Sequence, residues 1–261
     1  MGDLAALRTG LRELGDVVVA FSGGADSAFL AWVANDVLGP ERALAVTAVS
    51  PSLAPEERAD CEALACEWGL RWEAVVTDEL ADPAYRGNDG ERCYHCKTSL
   101  MDALAEYAGR VVLGVNVDDL GDHRPGQRAA VERGARFPLV DAGFTKDDVR
   151  AASRGLGLRT WDKPAAACLA SRVPYGTAVT LGVLTSVAQA ESALRGLGFR
   201  QLRVRHYGDL ARIELDAHDL AAAVARRAEI VDAVRQAGYR YVTLDLEGFR
   251  SGNLNHALGA P

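Results

Sequence analysis

The sequence predicts an α/β protein, a doubly wound parallel sheet followed by a smaller α+β domain. Three observations carry this. Short valine-rich apolar runs alternate with segments of helical periodicity up to residue 116. The rhythm then breaks into a polar stretch at 117–128 and an irregular one at 159–177, both holding Gly and Pro. A tail in the order αββαβ follows with its own apolar pattern, which sets a domain boundary near 177: residues 1–176 form the larger domain and 177–261 the smaller.

The elements follow in order. MGDLAALRTGLREL at the N-terminus has the spacing of an amphipathic helix. DVVVAFS (16–22) reads as a parallel strand buried on both faces. Residues 27–38 repeat apolar side chains at helical spacing, and ALAVTAVS (43–50) is a second strand. A helix over 55–69 is opened by Pro55, Glu56 and Glu57, because proline suits the first helical position and acids suit the N-terminal dipole. RWEAVVT (71–77) is a third strand, 78–92 a polar loop, 93–108 a helix and RVVLGVN (110–116) a fourth strand. A βαβαβαβ order of this kind gives a parallel sheet with helices on both faces. FPLVD and a helix in TKDDVRAASRGLGL reach residue 158. The tail then predicts a helix at 180–197, strands in FRQLRVRHYG and LARIELD, a helix at 218–237 and a strand in YRYVTLDLEGF.

Composition narrows the function classes. In 261 residues, 49% hydrophobic and 25% charged side chains describe an ordinary globular protein. No apolar run approaches the roughly 18 residues of a membrane span. The N-terminus lacks the basic start and apolar core of a secretory signal. A net charge of −7 leaves no overall electrostatic footprint for nucleic acid. Five scattered cysteines suit free thiols in a reducing cytoplasm better than a disulfide framework. The expectation is a cytoplasmic protein with neither a membrane nor a nucleic-acid partner.

The strongest local feature is SGGADS at 22–27, between a buried strand and a helix. Adjacent Gly23 and Gly24 let the backbone turn tightly and bring its N–H groups to a phosphate, and the helix N-terminus adds positive potential. Ser22 and Ser27 offer hydroxyls; Asp26 can hold Mg²⁺ or cap the helix. The Walker spacing is absent. The string resembles the signature of the PP-loop, or N-type, ATP pyrophosphatases, of the adenine nucleotide alpha hydrolase-like fold. That resemblance implies ATP cleavage between the α and β phosphates and transfer of AMP to an acceptor oxygen. GVNVDDLGDHRPGQRAA (114–130) resembles the second nucleotide-edge segment of the group, which would turn Asp118 and Asp119 into the same cleft; a solvated acidic loop is the alternative.

The cysteines form three sets. Cys61 and Cys66, five apart on a helix, read as core or half-buried thiols. Cys93 and Cys96 form the CxxC of ERCYHCK, which can bind metal, act as a redox dithiol or simply pack. Cys168 lies in KPAAACLASRVPYG. Zinc wants four ligands, and His95 between the first two cysteines is a poor fourth. Three thiolates with an open position suit an iron–sulfur cluster.

SGGADS, RCYHCK, ACLASRVPYG and LEGFRSGNLN together are similar to the LarE family of pyridinium-3,5-biscarboxylic acid mononucleotide sulfurtransferases, over nearly the whole chain. The resemblance implies MgATP-dependent adenylation of a pyridinium carboxylate and replacement of its oxygen by sulfur, in making the nickel-pincer nucleotide of lactate racemase. In one subgroup the cysteine matching Cys168 gives up its own sulfur and becomes dehydroalanine. In the other, a CxxC pair joins it to hold a [4Fe–4S] cluster carrying an exchangeable sulfide. Having Cys93, Cys96 and Cys168, this chain resembles the second. A small nucleotide substrate, a sulfide or other sulfur donor, and a homo-oligomer whose C-terminal domain serves substrate binding and association are implied with it.

In RVRHYG, Arg203 and Arg205 share one face of a strand and suit a phosphate, or form a solvated basic face. The resemblance places phosphate binding on these two and Arg250. Glu191 interrupts the apolar stripe Leu181, Leu184, Ala188, Leu194 and must pair with an arginine or have a role; the resemblance puts an active-site acid there. Three other functions compete. A tRNA-thiolating PP-loop enzyme wants a basic RNA surface, against the acidic balance. An amidating synthetase wants a glutaminase that does not fit this length. A non-catalytic ATP sensor would bind ATP and release no pyrophosphate.

Overall fold

The computed structural model describes residues 2–121, 125–164 and 167–250. Parts of three quoted motifs therefore lie outside the described residues: 122–124 of the second nucleotide-edge segment, 165–166 before Cys168, and 251–255 of LEGFRSGNLN. The chain divides into two compact units, Met1–Glu79 with Cys93–Ala166, and Leu80–Arg92 with Ala167–Pro261. Residues 167–176 thus group with the C-terminal part, and 80–92 join them from a distance in sequence.

The first unit runs α1 (Leu4–Leu14), β1 (Val17–Ala20), α2 (Ala25–Leu38), β2 (Ala43–Val49), α3 (Pro55–Trp68) and β3 (Arg71–Val76). The chain leaves for a short helix, α4 (Pro83–Gly87), grouped with the second unit. It returns through α5 (Arg92–Leu104), β4 (Arg110–Leu113), α6 (Pro125–Glu132), α7 (Pro138–Asp141) and α8 (Lys146–Gly155). The four strands are parallel in the order β3-β2-β1-β4. Side chains alternate between faces, as the pleat requires. Val17 and Val19 join Leu7, Leu11, Phe29 and Phe144 in the main core. Val18 joins Leu44, Val46 and Leu104 in a second cluster. Each strand that is apolar at every position is thus buried on two sides.

Strands one to three step outward from β1, and β4 then pairs on its other side, with Ala20 opposite Leu113. The strand order reverses between β1 and β4, the place where open α/β sheets leave a crevice at their C-terminal edge. The fourth strand is shorter than the predicted 110–116, because Gly114 leaves the ladder to pass against α2. A Cβ on Gly114 would lie 2.7 Å from the Ser27 amide nitrogen, so no larger residue fits.

The second unit holds α9 (Leu181–Gly196), β5 (Leu202–Tyr207), β6 (Leu210–Leu215), α10 (Leu220–Ala225), α11 (Arg227–Gln236) and β7 (Tyr241–Leu244). Its sheet is ordered β5-β6-β7, the first pair antiparallel and the second parallel. Leu194, Val204, Ile213 and Val234 sit at its core. The helix expected over 218–237 is broken at Arg226. That guanidinium donates to the Leu197 carbonyl at 2.6 Å and to Glu229 at 2.8 Å, which draws its backbone out of helical angles.

Two loops expected from sequence hold helices. In 78–92, Asp82 caps the amide of Ala84, Pro83 takes the first helical position, and Asn88 ends α4 at φ 53°. The polar stretch ending at 128 overlaps α6, which Pro125 opens. Asn88 explains why this excursion belongs to the second unit. Buried, it donates to the carbonyls of Val173, Pro174 and Thr177 at 3.3, 2.8 and 2.8 Å, and accepts from Arg92 at 2.5 Å. Arg92 also donates to the Ala170 carbonyl at 2.9 Å. One amide therefore organises the segment that follows Cys168. Asn88→Ala should orphan these buried groups and cost on the order of 3 kcal/mol. In urea unfolding, the transition that reports on the second unit should move to lower denaturant; an unmoved midpoint would show that water replaces the amide.

Candidate functional site

The loop after β1 is preformed. Ser27 Oγ accepts from the Ser22 amide at 3.2 Å, lies 3.0 Å from Ser22 Oγ and donates to the Gly24 carbonyl at 3.2 Å. Gly23 sits at φ +68°, in the left-handed region open to glycine. Gly24 is the N-cap of α2 and makes no side-chain cap bond. Asp26 is in the first turn and does not cap. Its Oδ1 instead accepts from Asn116 Nδ2 at 3.1 Å.

Asn116 ties this loop to the end of β4. Its amide N–H reaches Asp119 Oδ2 at 3.2 Å, while its side-chain oxygen accepts from the Asp119 amide at 3.2 Å. Asp119 is buried, and Lys146 Nζ lies 3.6 Å from its other oxygen. Asp118 is exposed, and its carboxylate accepts from the Lys146 amide at 2.8 Å at the start of α8. Asp118 is thus turned to the start of α8, while the charge of Asp119 is felt at Asp26. Burial raises the Asp26 pKa above the ordinary carboxylate range; the Asn116 hydrogen bond lowers it, and the nearby charge of Asp119 adds to the rise. Two carboxylates crowded in this way fit a divalent cation, which would relieve both the burial and the repulsion.

None of the five thiols is in a disulfide. Cys61 is buried and Cys66 exposed, so only the first behaves as a core thiol; burial pushes Cys61 up to about 11. Cys93 and Cys96 lie in the first turns of α5, three apart and so on one face. Cys93 is exposed and Cys96 half-buried. Lys97 beside them is pushed down by burial, against the influence of the two thiols. Cys168 is exposed and belongs to the other unit, at the start of a 3-10 turn over Leu169–Arg172. The CxxC pair fits two positions of a cluster. Among the described residues, no group of three or more His, Cys, Asp or Glu is gathered to hold a metal.

Arg172 fixes the main chain at Cys168. Its Nη1 donates to the carbonyls of Ala167 at 2.7 Å and Cys168 at 3.2 Å. Its Nε and Nη2 fork onto Glu191 at 2.8 and 3.1 Å. Glu191 is 0% exposed and also accepts from Arg195 at 2.9 Å and from the Val204 amide at 3.1 Å. The pairing that its place on an apolar stripe demanded is therefore met twice over.

The arginine pair is not a solvated face, since Arg203 and Arg205 are both buried. They are also not equivalent. Arg205 forks onto Glu214 at 3.0 and 2.9 Å and donates to the Ser171 carbonyl at 2.8 Å. The Arg203 guanidinium lies 4.6 Å over the Phe249 ring and has no hydrogen bond or ion pair among the described residues. Burial pulls its pKa down to about 10, helped by Arg172 and Arg205. Glu214, opposite it in the β5–β6 register, and Glu191 act on it through charge, with no hydrogen bond to either among the described residues. Arg250 is exposed and paired with Glu247.

Asn116, Arg172 and Lys146 were not singled out from sequence. The first two lie inside the quoted strings GVNVDDL and ACLASR, but only folding shows which carboxylate or carbonyl each one holds.

Two outcomes follow from this geometry. A carboxyl with a folded pKa above its unfolded one destabilises when ionised. Stability rises as pH falls through the folded value, and the penalty is fully present above it. Asp26→Asn should therefore raise the Tm of Mg²⁺-free protein at neutral pH, while Mg²⁺ stabilises the parent and leaves the variant unmoved; a lower Tm would assign Asp26 to the fold. Arg205→Ala should cost about 3 kcal/mol in urea unfolding by leaving buried Glu214 to Arg212 alone, whereas Arg203→Ala should leave stability nearly intact and weaken phosphate binding. Equal losses of stability would make both arginines structural.

The comparisons with known proteins agree with this chemistry. Residues 7–87 match the model of the NAD synthase family. An uncharacterized protein of Synechocystis sp. is 48% identical, over 98% of this chain and 97% of that protein. The pyridinium-3,5-bisthiocarboxylic acid mononucleotide synthase of Lactiplantibacillus plantarum is 40% identical, over 97% of this chain and 94% of that one. An uncharacterized protein of Methanocaldococcus jannaschii is 27% identical over 90% of this chain and 91% of its own. With a phosphate loop at the reversal point of a parallel sheet and a full-length relative at this identity, the chain belongs to the LarE family of PP-loop enzymes.

Proposed function

We propose that this protein is an ATP-dependent sulfurtransferase. It adenylates the carboxylate of pyridinium-3,5-biscarboxylic acid mononucleotide and exchanges oxygen for sulfur, toward the nickel-pincer nucleotide. The observation that carries this reading is the pairing, in one chain, of a preformed phosphate loop flanked by Asp26 and Asp119 with a free, exposed Cys168 gripped through its own carbonyl. A carboxylate oxygen attacks the α-phosphorus of ATP, the bond to the bridging oxygen breaks, and pyrophosphate leaves. Mg²⁺ held by Asp26 and Asp119 would draw off the charge that develops on the phosphates. The loop amides and the N-terminus of α2 act on the same charge. Arg203 receives the substrate phosphate, framed by the Arg205–Glu214 pair; Arg250 joins from the segment after Phe249. Glu191 acts through Arg172, by holding the chain on which Cys168 is presented.

The sulfur has two candidate sources. Cys93, Cys96 and Cys168 would hold a [4Fe–4S] cluster, which supplies an exchangeable sulfide when bound. The support is a CxxC pair on one face of α5 with neither thiol in a disulfide. The direct route is favoured by Cys168 itself, exposed on a clamped backbone and needing no second thiol. There the thiolate attacks the acyl adenylate, the C–S bond forms and AMP leaves. Loss of the cysteine α-proton then breaks the Cβ–S bond, giving thiocarboxylate and dehydroalanine.

Protein mass after turnover decides between them. The cluster route predicts an unchanged mass, several turnovers when sulfide is supplied, and loss of iron binding on substitution of any of the three cysteines by alanine. A loss of one H₂S at Cys168, with a single turnover that survives Cys93→Ala, would remove the cluster and keep the sulfurtransferase. Absence of pyrophosphate release with the dicarboxylate nucleotide would overturn both.

A further inference from the structure

A second cation stands beside the phosphate loop, from a part of the chain with no role so far. A Cβ on Gly23 would lie 2.9 Å from Cys61 Sγ and 3.7 Å from Lys163 Nζ. The thiol closes the space beneath the glycine, and the ammonium stands at its side. Lys163 follows α8 and is five residues before Cys168 in sequence. Its Nζ donates to Glu57 Oε2 at 2.8 Å and Asp60 Oδ2 at 2.7 Å, both on α3. Arg159 shares the same helix, reaching Asp60 at 2.7 Å and Glu67 at 2.8 Å.

Simple stapling of residues 159–163 to α3 accounts for Arg159, which is 44% exposed in its side chain, but it does not exhaust Lys163, at 18%. An ammonium has three N–H donors. Two are used by the carboxylates, and the third has no acceptor among the described residues. Burial draws the Lys163 pKa down, yet Asp60 and Glu57 outweigh it and hold the group above the ordinary lysine range. The charge is thus permanent at working pH, and its position is fixed from two sides. What it faces is the glycine whose positive φ opens the loop. Loop amides, the start of a helix of 14 residues and a fixed ammonium together describe a seat for a polyanion.

We propose that Lys163 binds the polyphosphate of the nucleotide held by Ser22–Ser27, its third N–H directed to a phosphate oxygen while Glu57 and Asp60 hold the ammonium in place. The inference rests on the ATP reading of the loop. It adds a phosphate-binding residue that lies outside SGGADS.

The experiment compares the parent with Lys163→Gln, Lys163→Arg and Asp60→Asn. Binding of MgATP, inorganic pyrophosphate and adenosine is measured by calorimetry, and the ligand-free Tm alongside. Lys163→Gln should weaken MgATP and pyrophosphate by about ten- to hundredfold, the worth of a charge-assisted hydrogen bond. Adenosine binding should stay unchanged, and Lys163→Arg should recover part of the loss. Asp60→Asn, which cuts one anchor and keeps the ammonium, should lower the Tm more than it lowers ATP affinity. MgATP binding by Lys163→Gln as tight as the parent's would overturn the proposal and leave the ATP reading standing. So would an Asp60→Asn variant that reproduces the full loss, because the lysine would then matter only as a staple. A parent that binds no MgATP would overturn both.

Discussion

The nucleotide half of this protein depends on the pairing of β4 with β1. Because Ala20 stands opposite Leu113, the two strands end level, and the loops that leave them meet at one edge of the sheet. The meeting is close enough that only glycine fits at 114. From there the chain reaches Asn116, whose side chain and main chain hold Asp26 and Asp119. Had β4 joined the far side of β3, the loop at 22–27 would still form, but no second strand end would supply its acids. The placement of one strand out of sequence order creates the crevice, and local hydrogen bonds shape it.

The second unit is organised by buried charge. Glu191 is matched by Arg172 and Arg195, and Glu214 by Arg205 and Arg212. Removing such charges from water is costly unless every one is matched. Arg203 is the member without a hydrogen-bonded carboxylate among the described residues; Arg172 and Arg205 repel it, while Glu214 and Glu191 attract it. Its lack of a hydrogen-bonded partner suits the proposed role of meeting a ligand's phosphate, with the neighbouring pairs serving to hold the remaining side chains rigid.

Much of the fold was legible in sequence, because parallel strands buried on two faces must be apolar at every position; the valine run at 17–19 could be little else. SGGADS was legible because the positive φ of Gly23 favours glycine, and a Cβ there would also lie 2.9 Å from Cys61 Sγ. The failures have a common cause. The helices at 83–87 and 125–132 are short and polar, and the sequence marks them by cap residues such as Asp82, Pro83 and Pro125 where no apolar stripe exists. The break at Arg226 comes from a carbonyl 29 residues earlier, beyond any local window. In the site, residue types were readable and pairings were not. Arg203 and Arg205 look identical on a strand; Glu214 stands opposite Arg203 in the register, yet its carboxylate is bonded by Arg205, a choice that only the folded side chains show.

The hydrogen bonds of Asn88 have a bearing on how the chain is made. Its acceptors lie 85 to 89 residues downstream. At ribosomal speeds of about 5–20 residues per second, the amide waits roughly 4–17 s after synthesis before its partners exist. During that interval the first βαβ units can form, but the short excursion that carries Asn88 has nothing to hold it. The nascent chain therefore carries an open loop, available to chaperones and proteases, until translation passes the stretch after Cys168. Completion of the second unit is in this sense a checkpoint on synthesis: a truncated product keeps its phosphate loop and leaves this strap undone.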